Sequence, residues 1–304
     1  MLPRDPRRGS FFDFSDRTKL RLTGSDRIRF INGQITNDIR KAGESCAIAA
    51  CVLNAKGKLN AFVLVSVAGD ALFIDADAAL ADTLVPRIER YIIADDVQIE
   101  DVTENFSLFH LIGDSPPEIP GRIVSANRFG LPGFDIWADP DRHAEVHAGL
   151  SAVLPWCDAE CAELFRIEQG VPIWGAELSE DIIPVEANLE KHTIDYEKGC
   201  YIGQEVISRM KMSGQRNKSL CGLSSDGEAA LATSMKLYAV EGEKEVGWIT
   251  SAIRSDRLGQ SIALGYVKRP FNEVGAKLHA REAARGGIPV EVVDLPFKGH
   301  GSTS

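Results

Sequence analysis

Apolar residues fall in short runs along this chain, each closed by a glycine or a small polar turn, and the runs predict strands and helices in mixed order. The segment Leu20-Arg-Leu-Thr-Gly-Ser-Asp-Arg-Ile-Arg-Phe-Ile-Asn-Gly-Gln34 reads as a strand that stops at Gly24 and a helix capped by Ser25 or Asp26. Asp26 also suits the positive end of the helix dipole. Residues 47–53 and 59–67 are β-rich runs around the polar turn Asn54-Ala-Lys-Gly57, which predicts a hairpin. A strand over 71–75 precedes an amphipathic helix over 78–91. Residues 97–102 alternate as a half-buried strand does, and 107–112 can pair beside them.

Helical spacing follows over 141–154 and again over 158–169, where Gly170 and Pro172 are stop signals. Residues 204–210 allow one or two further helical turns. From Lys218 the β-rich runs 220–223, 236–240, 245–250, 261–267 and 290–293 are separated by glycines, which predicts a small barrel or sandwich. The expected organisation is α+β: a first region over 15–105, a second over 106–212 able to interleave with it, a β domain over 213–296, and a flexible tail over 297–304.

Composition narrows the function classes. The chain has 304 residues, 44% of them hydrophobic, enough for a sizeable core in one large or several ordinary domains. Acidic residues outnumber basic ones 44 to 34, so direct binding of nucleic acid or of an anionic membrane is disfavoured. No apolar stretch approaches the roughly 20 residues needed to span a bilayer, and Arg4, Arg7 and Arg8 lead into Phe11-Phe12-Asp13-Phe14 without a signal-like apolar core. A cytoplasmic location is expected. Six cysteines scattered through a long chain argue for reduced thiols, and Cys157 with Cys161 is expected to mark one packed helix face.

The motif with most chemistry is Lys198-Gly199-Cys200-Tyr201-Ile202-Gly203-Gln204-Glu205. Glycines permit tight backbone paths, and an ammonium near a cysteine favours the thiolate. The alternative is a turn in which Cys200 is a small packed hydrophobe. Dinucleotide and phosphate-loop fingerprints are absent, since Gly57-Lys58 lacks both the upstream glycine and the following hydroxyl. His143 and His147 stand four apart but lack the glutamate spacing of a zinc protease, so a solvated helix face is expected there and no metal site.

Several separated segments together resemble the YgfZ family, a branch of the folate-binding superfamily that includes the glycine-cleavage T-protein, an aminomethyltransferase. They are Leu22 to Asp38, the Lys56-Gly57-Lys58-Leu59 turn, Arg166-Ile-Glu-Gln-Gly-Val-Pro, Pro184-Val-Glu-Ala-Asn-Leu189, the octet at 198–205, and Gly247-Trp-Ile-Thr-Ser-Ala252, in the family's order. The match covers most of residues 15–295. The resemblance implies a three-domain cloverleaf around a central cavity for tetrahydrofolate, with a C-terminal β-barrel. It implies a role in assembling or repairing iron–sulfur clusters in client enzymes, including tRNA-modifying ones. Partners would then be iron–sulfur assembly proteins or those clients, with no direct nucleic acid, no membrane, and the chain a monomer.

In T-proteins the hairpin carries an Asp-Asp pair, one member of which is catalytic; here Asn60 and Ala61 hold those places. An amide does not accept a proton near neutral pH, so aminomethyl transfer by that mechanism is expected to be lost. Glu168 matches the carboxylate that contacts the pterin; its alternative is an exposed glutamate at a helix end. Arg27, Asn37-Asp38, Glu186 and Asn188 belong to matched blocks, and surface pairing, capping or a plain turn would equally explain them. Lys198 and Tyr201 are expected beside Cys200, as modulators of its thiol and of the folate site. A single cysteine holds no cluster alone, so Cys200 is expected to act as a transient ligand, a redox-sensitive nucleophile, or a cavity-shaping residue. Two other readings remain: a folate-dependent one-carbon transferase or demethylase using another base, and a redox-responsive thiol module.

Overall fold

The computed structural model describes residues 5–214, 216–225, 229–241, 244–282 and 287–298. The chain resolves into two compact units, one formed by residues up to Ala162 with Leu189–Arg209, the other by Glu163–Asn188 with the residues from Met210 onward. Among the described residues no helix is long and apolar enough to cross a membrane.

The first unit holds strands β1 (Ser10–Asp13), β2 (Thr18–Thr23), β3 (Ile48–Leu53), β4 (Leu59–Ala68), β5 (Ala71–Ala76), β6 (Gln98–Asp101), β7 (Ser107–Ile112), β8 (Arg122–Ser125) and β9 (Gly133–Ala138). Helices α1 (Arg27–Gln34), α2 (Ala81–Glu89) and α3 (His143–Ser151) lie between and after them. One antiparallel sheet runs β3-β4-β5-β2-β6 and a second runs β1-β7-β9-β8. The predicted hairpin forms as β3 against β4, with Asn54 Oδ1 accepting the Lys56 and Lys58 amides to close its turn. Its register slips between Val52↔Ala61 and Leu53↔Leu59, leaving Asn60 as the extra residue of a bulge.

β7 does not pair beside β6, contrary to expectation. β6 is a mostly exposed edge strand on β2, whereas every residue of β7 is buried and the strand lies between β1 and β9. The continuous run Ser107-Leu-Phe-His-Leu-Ile112 carried that signal, because alternation marks a half-solvated strand and an unbroken apolar run a strand covered on both faces. The helix start also differs in detail. Asp26 occupies the cap position without capping; its carboxylate accepts the Asp96 amide, while Ser25 turns to Asp96 Oδ2.

A second correction concerns the thiols. Cys157 and Cys161 form a disulfide, with Cα atoms 5.2 Å apart. Cys157 is not on a helix face: its amide donates to Phe11 O of β1, and α4 (Ala159–Gln169) begins only after Asp158, whose carboxylate accepts the Cys161 amide. The other four cysteines, Cys46, Cys51, Cys200 and Cys221, are free thiols. His143 and His147 line a partly solvated helix face, the His143 side chain being 40% exposed. His143 Nε2 lies 2.8 Å from Asp13 Oδ2, and the His147 ring meets Phe11 and Trp156 edge-on.

The two sheets of the first unit share a buried ionic cluster. Asp75 of β5 takes Arg17 at 2.6 Å and Arg128 at 2.7 Å; Arg128 also makes a fork to Asp135 of β9, which receives His110 Nδ1 of β7 at 2.8 Å. Phe12, Phe14 and Phe129 wall the cluster with rings near His110.

In the second unit a closed barrel runs β10 (Lys218–Ser225), β13 (Gln260–Lys268), β12 (Glu245–Ser255), β11 (Lys236–Ala239), β14 (Lys277–Arg281) and β15 (Ile288–Val293), closing by pairing β15 to β10. Closure leaves no open edge and buries Leu223, Leu237, Val246, Ala263 and Ala280 completely. β14 escaped the sequence reading, since Lys277-Leu-His-Ala-Arg281 has only two apolar residues to alternate. Phe297, assigned to the start of a tail, is buried and donates its amide to Glu168 O; residues 299–304 lie outside the described residues.

Burial holds the His110 imidazole below its ordinary pKa of 6.5, with Asp135 opposing. Burial opposes ionisation of Asp135, but Arg128 and His110 outweigh it and hold its carboxyl well below the usual range. Both folded-state values are depressed, so the unfolded chain binds the extra protons and acid destabilises the fold, first as pH falls through the imidazole range. Thermal unfolding followed from about pH 7 to about pH 5 should show a falling midpoint in the native chain. The His110→Gln variant should have a flatter dependence.

Candidate functional site

The octet at 198–205 is fixed to the first unit by its cation and its glycines. Lys198 is 5% exposed, and its ammonium donates to Asn32 O at 2.6 Å, Ile35 O at 2.7 Å and Asn37 O at 2.8 Å. These are the carbonyls at and just beyond the end of α1, the acceptors that a helix terminus leaves without partners. An ammonium has three donors. All three go to backbone, and none remains to face Cys200. Burial pushes the Lys198 amine down to about 8, against the pull of the Asp38 and Asp195 carboxylates.

Gly203 lies against the hairpin turn. A Cβ there would sit 2.6 Å from Asn54 O, and its φ is +84°. Gly57 in that turn is equally constrained: its φ is +72°, and a Cβ added to it would lie only 2.8 Å from Val206 Cβ on α6 (Gln204–Ser213). Ile202 adds a hydrogen bond from its backbone N–H to Gly33 O. The octet therefore packs against the end of α1 and the hairpin tip, with Cys200 exposed and Tyr201 turned inward.

Tyr201 is 8% exposed, and among the described residues its buried hydroxyl has no hydrogen-bond partner. Burial, with the nearby Cys51, pushes its pKa up to about 12. The Lys198 ammonium lies 5.2 Å from the Tyr201 ring centroid, a cation–π contact. Burial likewise pushes the Cys51 thiol up to about 12, and its sulfur lies 3.5 Å from Thr193 Oγ1 of α5 (Glu190–Thr193). Cys51 is thereby an inert packing thiol, whereas Cys200, like Cys46, is exposed.

Asn60 projects from the β4 bulge to Arg87 of α2, which donates to Asn60 Oδ1 at 2.9 Å, to Gln34 Oε1 at 3.2 Å and to Leu53 O. Ala61 is fully buried. Arg27 donates from Nη1 to Gly24 O, while its Nε is buried and lacks a partner among the described residues. Asn37 binds Ala49 O and His192 O, and Asp38 caps the turn at Ile39–Lys41, with Arg40 the main cause of a pKa near 2. Asn37 and Asp38 thus serve the local chain path.

Three predicted residues fall in the second unit. Glu168 is buried rather than exposed, and its carboxylate accepts Ser255 Oγ at 2.6 Å and Arg257 Nε at 2.7 Å. Glu186 accepts the Ile183 amide across a turn and lies 3.7 Å from Lys218 Nζ; Asn188, at φ +59°, donates to Leu220 O. The sequence reading missed Glu177. Its buried carboxylate collects Thr250 Oγ1, Ser251 Oγ, Arg166 Nη1 and the Ile173 amide, while its carbonyl accepts Tyr266 OH. Only Arg166, Thr250 and Ser251, all inside the motif segments, pointed toward a shared buried acceptor. Among the described residues no three His, Cys, Asp or Glu side chains gather as a metal site would require.

Residues 218–298 match the glycine cleavage T-protein C-terminal barrel domain. The crystal structure of the glycine cleavage system aminomethyltransferase T from Bartonella henselae shares the fold with a TM-score of 0.83, covering 95% of this chain and 86% of that one at 17% identity. The chain thus resembles glycine cleavage T-proteins, in its barrel domain by sequence and across nearly its whole length by fold. An aminomethyltransferase of Rubrobacter xylanophilus is 26% identical over 95% of this chain and 83% of its own length. One from Aquifex aeolicus is 33% identical over 52% of this chain and 45% of its own. The T-protein fold expected from the motifs is therefore present, with its mixed α and β content and closed six-stranded barrel.

Two substitutions separate packing from ligand contact in the octet. Gly203→Ala should lower stability by about 2 kcal/mol or more, because the new methyl meets a carbonyl and the backbone favours glycine. Tyr201→Phe should leave the unfolding midpoint unchanged or slightly raised, since it deletes a buried hydroxyl that has no partner. Chemical denaturation of both variants checks the pair.

Proposed function

We propose that this protein binds tetrahydrofolate and handles a one-carbon group on it, as a member of the T-protein superfamily that no longer uses the T-protein's carboxylate. The observation that carries this reading is its likeness across 95% of the chain to a protein named an aminomethyltransferase. The Glu168 carboxylate, buried and held by Ser255 and Arg257, is the group we assign to the pterin. A pterin presents an amino group and a ring N–H side by side, and an ionised carboxylate is the side chain suited to accept both. Bound tetrahydrofolate would supply the one-carbon carrier; the residues of this chain bind and orient it.

Asn60 limits the chemistry. Its amide oxygen accepts from Arg87 and has no proton-accepting role near neutral pH, so the amine-side proton transfer of a T-protein needs another base. A folate-dependent transferase or demethylase that uses a different base fits that limitation.

A second reading is favoured by Cys200, an exposed free thiol on a loop otherwise tied down by backbone bonds. In it the protein is a folate-binding accessory of the YgfZ type, supporting iron–sulfur assembly or repair in client enzymes, with Cys200 meeting a client or assembly protein. We place the protein in the cytoplasm as a monomer, a setting that suits its four free thiols better than the Cys157–Cys161 disulfide.

Calorimetric titration with reduced tetrahydrofolate should give saturable binding, weakened about tenfold or more in Glu168→Ala, the scale expected when a charged hydrogen-bonding group is removed. Absence of binding to the native protein would sink the folate reading. Formaldehyde release or folate methylenation with an amine donor favours the transferase. Folate binding without turnover, combined with loss of client iron–sulfur activity in Cys200→Ser cells, favours the accessory role.

A further inference from the structure

The Glu168 carboxylate is held by two barrel side chains outside the motif segments. Ser255 at the end of β12 is fully buried and donates from Oγ to Oε1 at 2.6 Å. The same Oγ accepts the Leu258 amide at 3.2 Å, so the Ser255 hydrogen is aimed at the carboxylate. Arg257, in the turn joining β12 to β13, reaches Oε2 from Nε at 2.7 Å. Its side chain is 28% exposed, whereas that of Glu168 is 5% exposed. The backbone of Glu168 is fixed as well, through the Phe297 amide on its carbonyl.

The arrangement constrains orientation rather than simply satisfying charge. A carboxylate offers about four lone-pair directions, two on each oxygen. Ser255 holds one oxygen and Arg257 the other, from different points along the barrel chain, and together they fix the rotation of the group about its bond. A pair of parallel donors needs both oxygens at a set angle, which a freely rotating glutamate provides only part of the time.

We propose that Arg257 is a positioning residue for ligand recognition by Glu168: its guanidinium locks the carboxylate so that both oxygens face a paired donor edge such as that of a pterin. This rests on the folate reading above, and it assigns to the barrel turn a share in setting affinity. Ser255 acts in the same way with a neutral donor, and its contribution is the smaller of the two.

A purely structural tether between the turn and α4 would change stability without a specific effect on the carboxylate's ligand. The test therefore measures tetrahydrofolate affinity by calorimetry and unfolding midpoint together, in the full-length chain, for Arg257→Ala, Arg257→Lys, Glu168→Gln and Glu168→Gln combined with Arg257→Ala. Arg257→Ala should weaken binding by about tenfold, the scale for losing an orienting partner behind a ligand-contacting group. Arg257→Lys should recover most of that loss, and Arg257→Ala should add nothing once Glu168 is Gln. Arg257→Ala binding as the native protein does, while Glu168→Gln loses affinity, would overturn the positioning role and leave the folate reading standing. Equal losses from Arg257→Ala with and without Glu168 would also overturn it, because the arginine would then act independently of the carboxylate. No binding by the native chain would overturn both. If Arg257→Ala proves unstable, the Arg257→Lys and Ser255→Ala pair carries the test: lysine should bind within about threefold of native, and the serine variant should lose a smaller factor than Arg257→Ala predicts.

Discussion

The position of the octet depends on one buried ammonium. A helix end leaves carbonyls unpaired, and here α1 ends inside the unit, where water cannot serve them all. Lys198 satisfies Asn32, Ile35 and Asn37 from a segment more than 160 residues further along the chain. Three hydrogen bonds to a charge outweigh what the side chain loses in freedom, and they determine where the next residues go. With Lys198 anchored, Cys200 is carried to the surface, Tyr201 is turned inward, and Gly203 is brought against Asn54 at a distance only glycine allows. The cation expected to activate a thiol instead builds the loop that presents it.

The same logic governs both units, each of which uses buried charge to set geometry. In the first, Asp75 and Asp135 share Arg128 across two sheets, and in the second Glu177 gathers four donors from α4, its own turn and β12. Burying such charges is tolerable when each is paired, and breaking one pair leaves an uncompensated charge. These networks therefore act as fixed joints. Thr250 and Ser251 reach Glu177 where β12 slips register against β13, so the barrel irregularity and the buried acid are parts of one local arrangement.

Local chemistry made much of this legible in sequence. The hairpin followed from Asn54-Ala-Lys-Gly57, the end of α4 from Gly170 and Pro172, and the barrel from short runs spaced by glycine. Most of what stayed hidden depended on partners far apart in the chain. Whether 107–112 joins β6 or β1 is decided by which faces are covered, and no local pattern states that fully. The disulfide was missed because Cys157 and Cys161 share a helical spacing, while the helix starts too late to include the first of them. Lys198 was visible as a residue, but its three acceptors belong to a helix end that only the fold brings near. Glu177 sits in an ordinary turn, Gly175-Ala-Glu177, and acquires its donors from β12 and α4.

On the reading proposed above, Asn60 separates the fold from the T-protein reaction by the identity of one atom. A bulge in β4 aims the residue at Arg87, whose guanidinium is partly buried and also bound to Gln34 and Leu53. A carboxylate in that place would face a cation at hydrogen-bonding distance, be held ionised by it, and so offer a negative charge to a bound amine. The amide satisfies the same donor with the same shape, so the hairpin and α2 keep their packing, but it brings no charge. Conversion between the two costs the fold little and removes the base. On the folate reading proposed above, the scaffold would keep a carboxylate for ligand recognition at Glu168 and need its reactive group elsewhere; within the octet, Cys200 is the exposed free thiol.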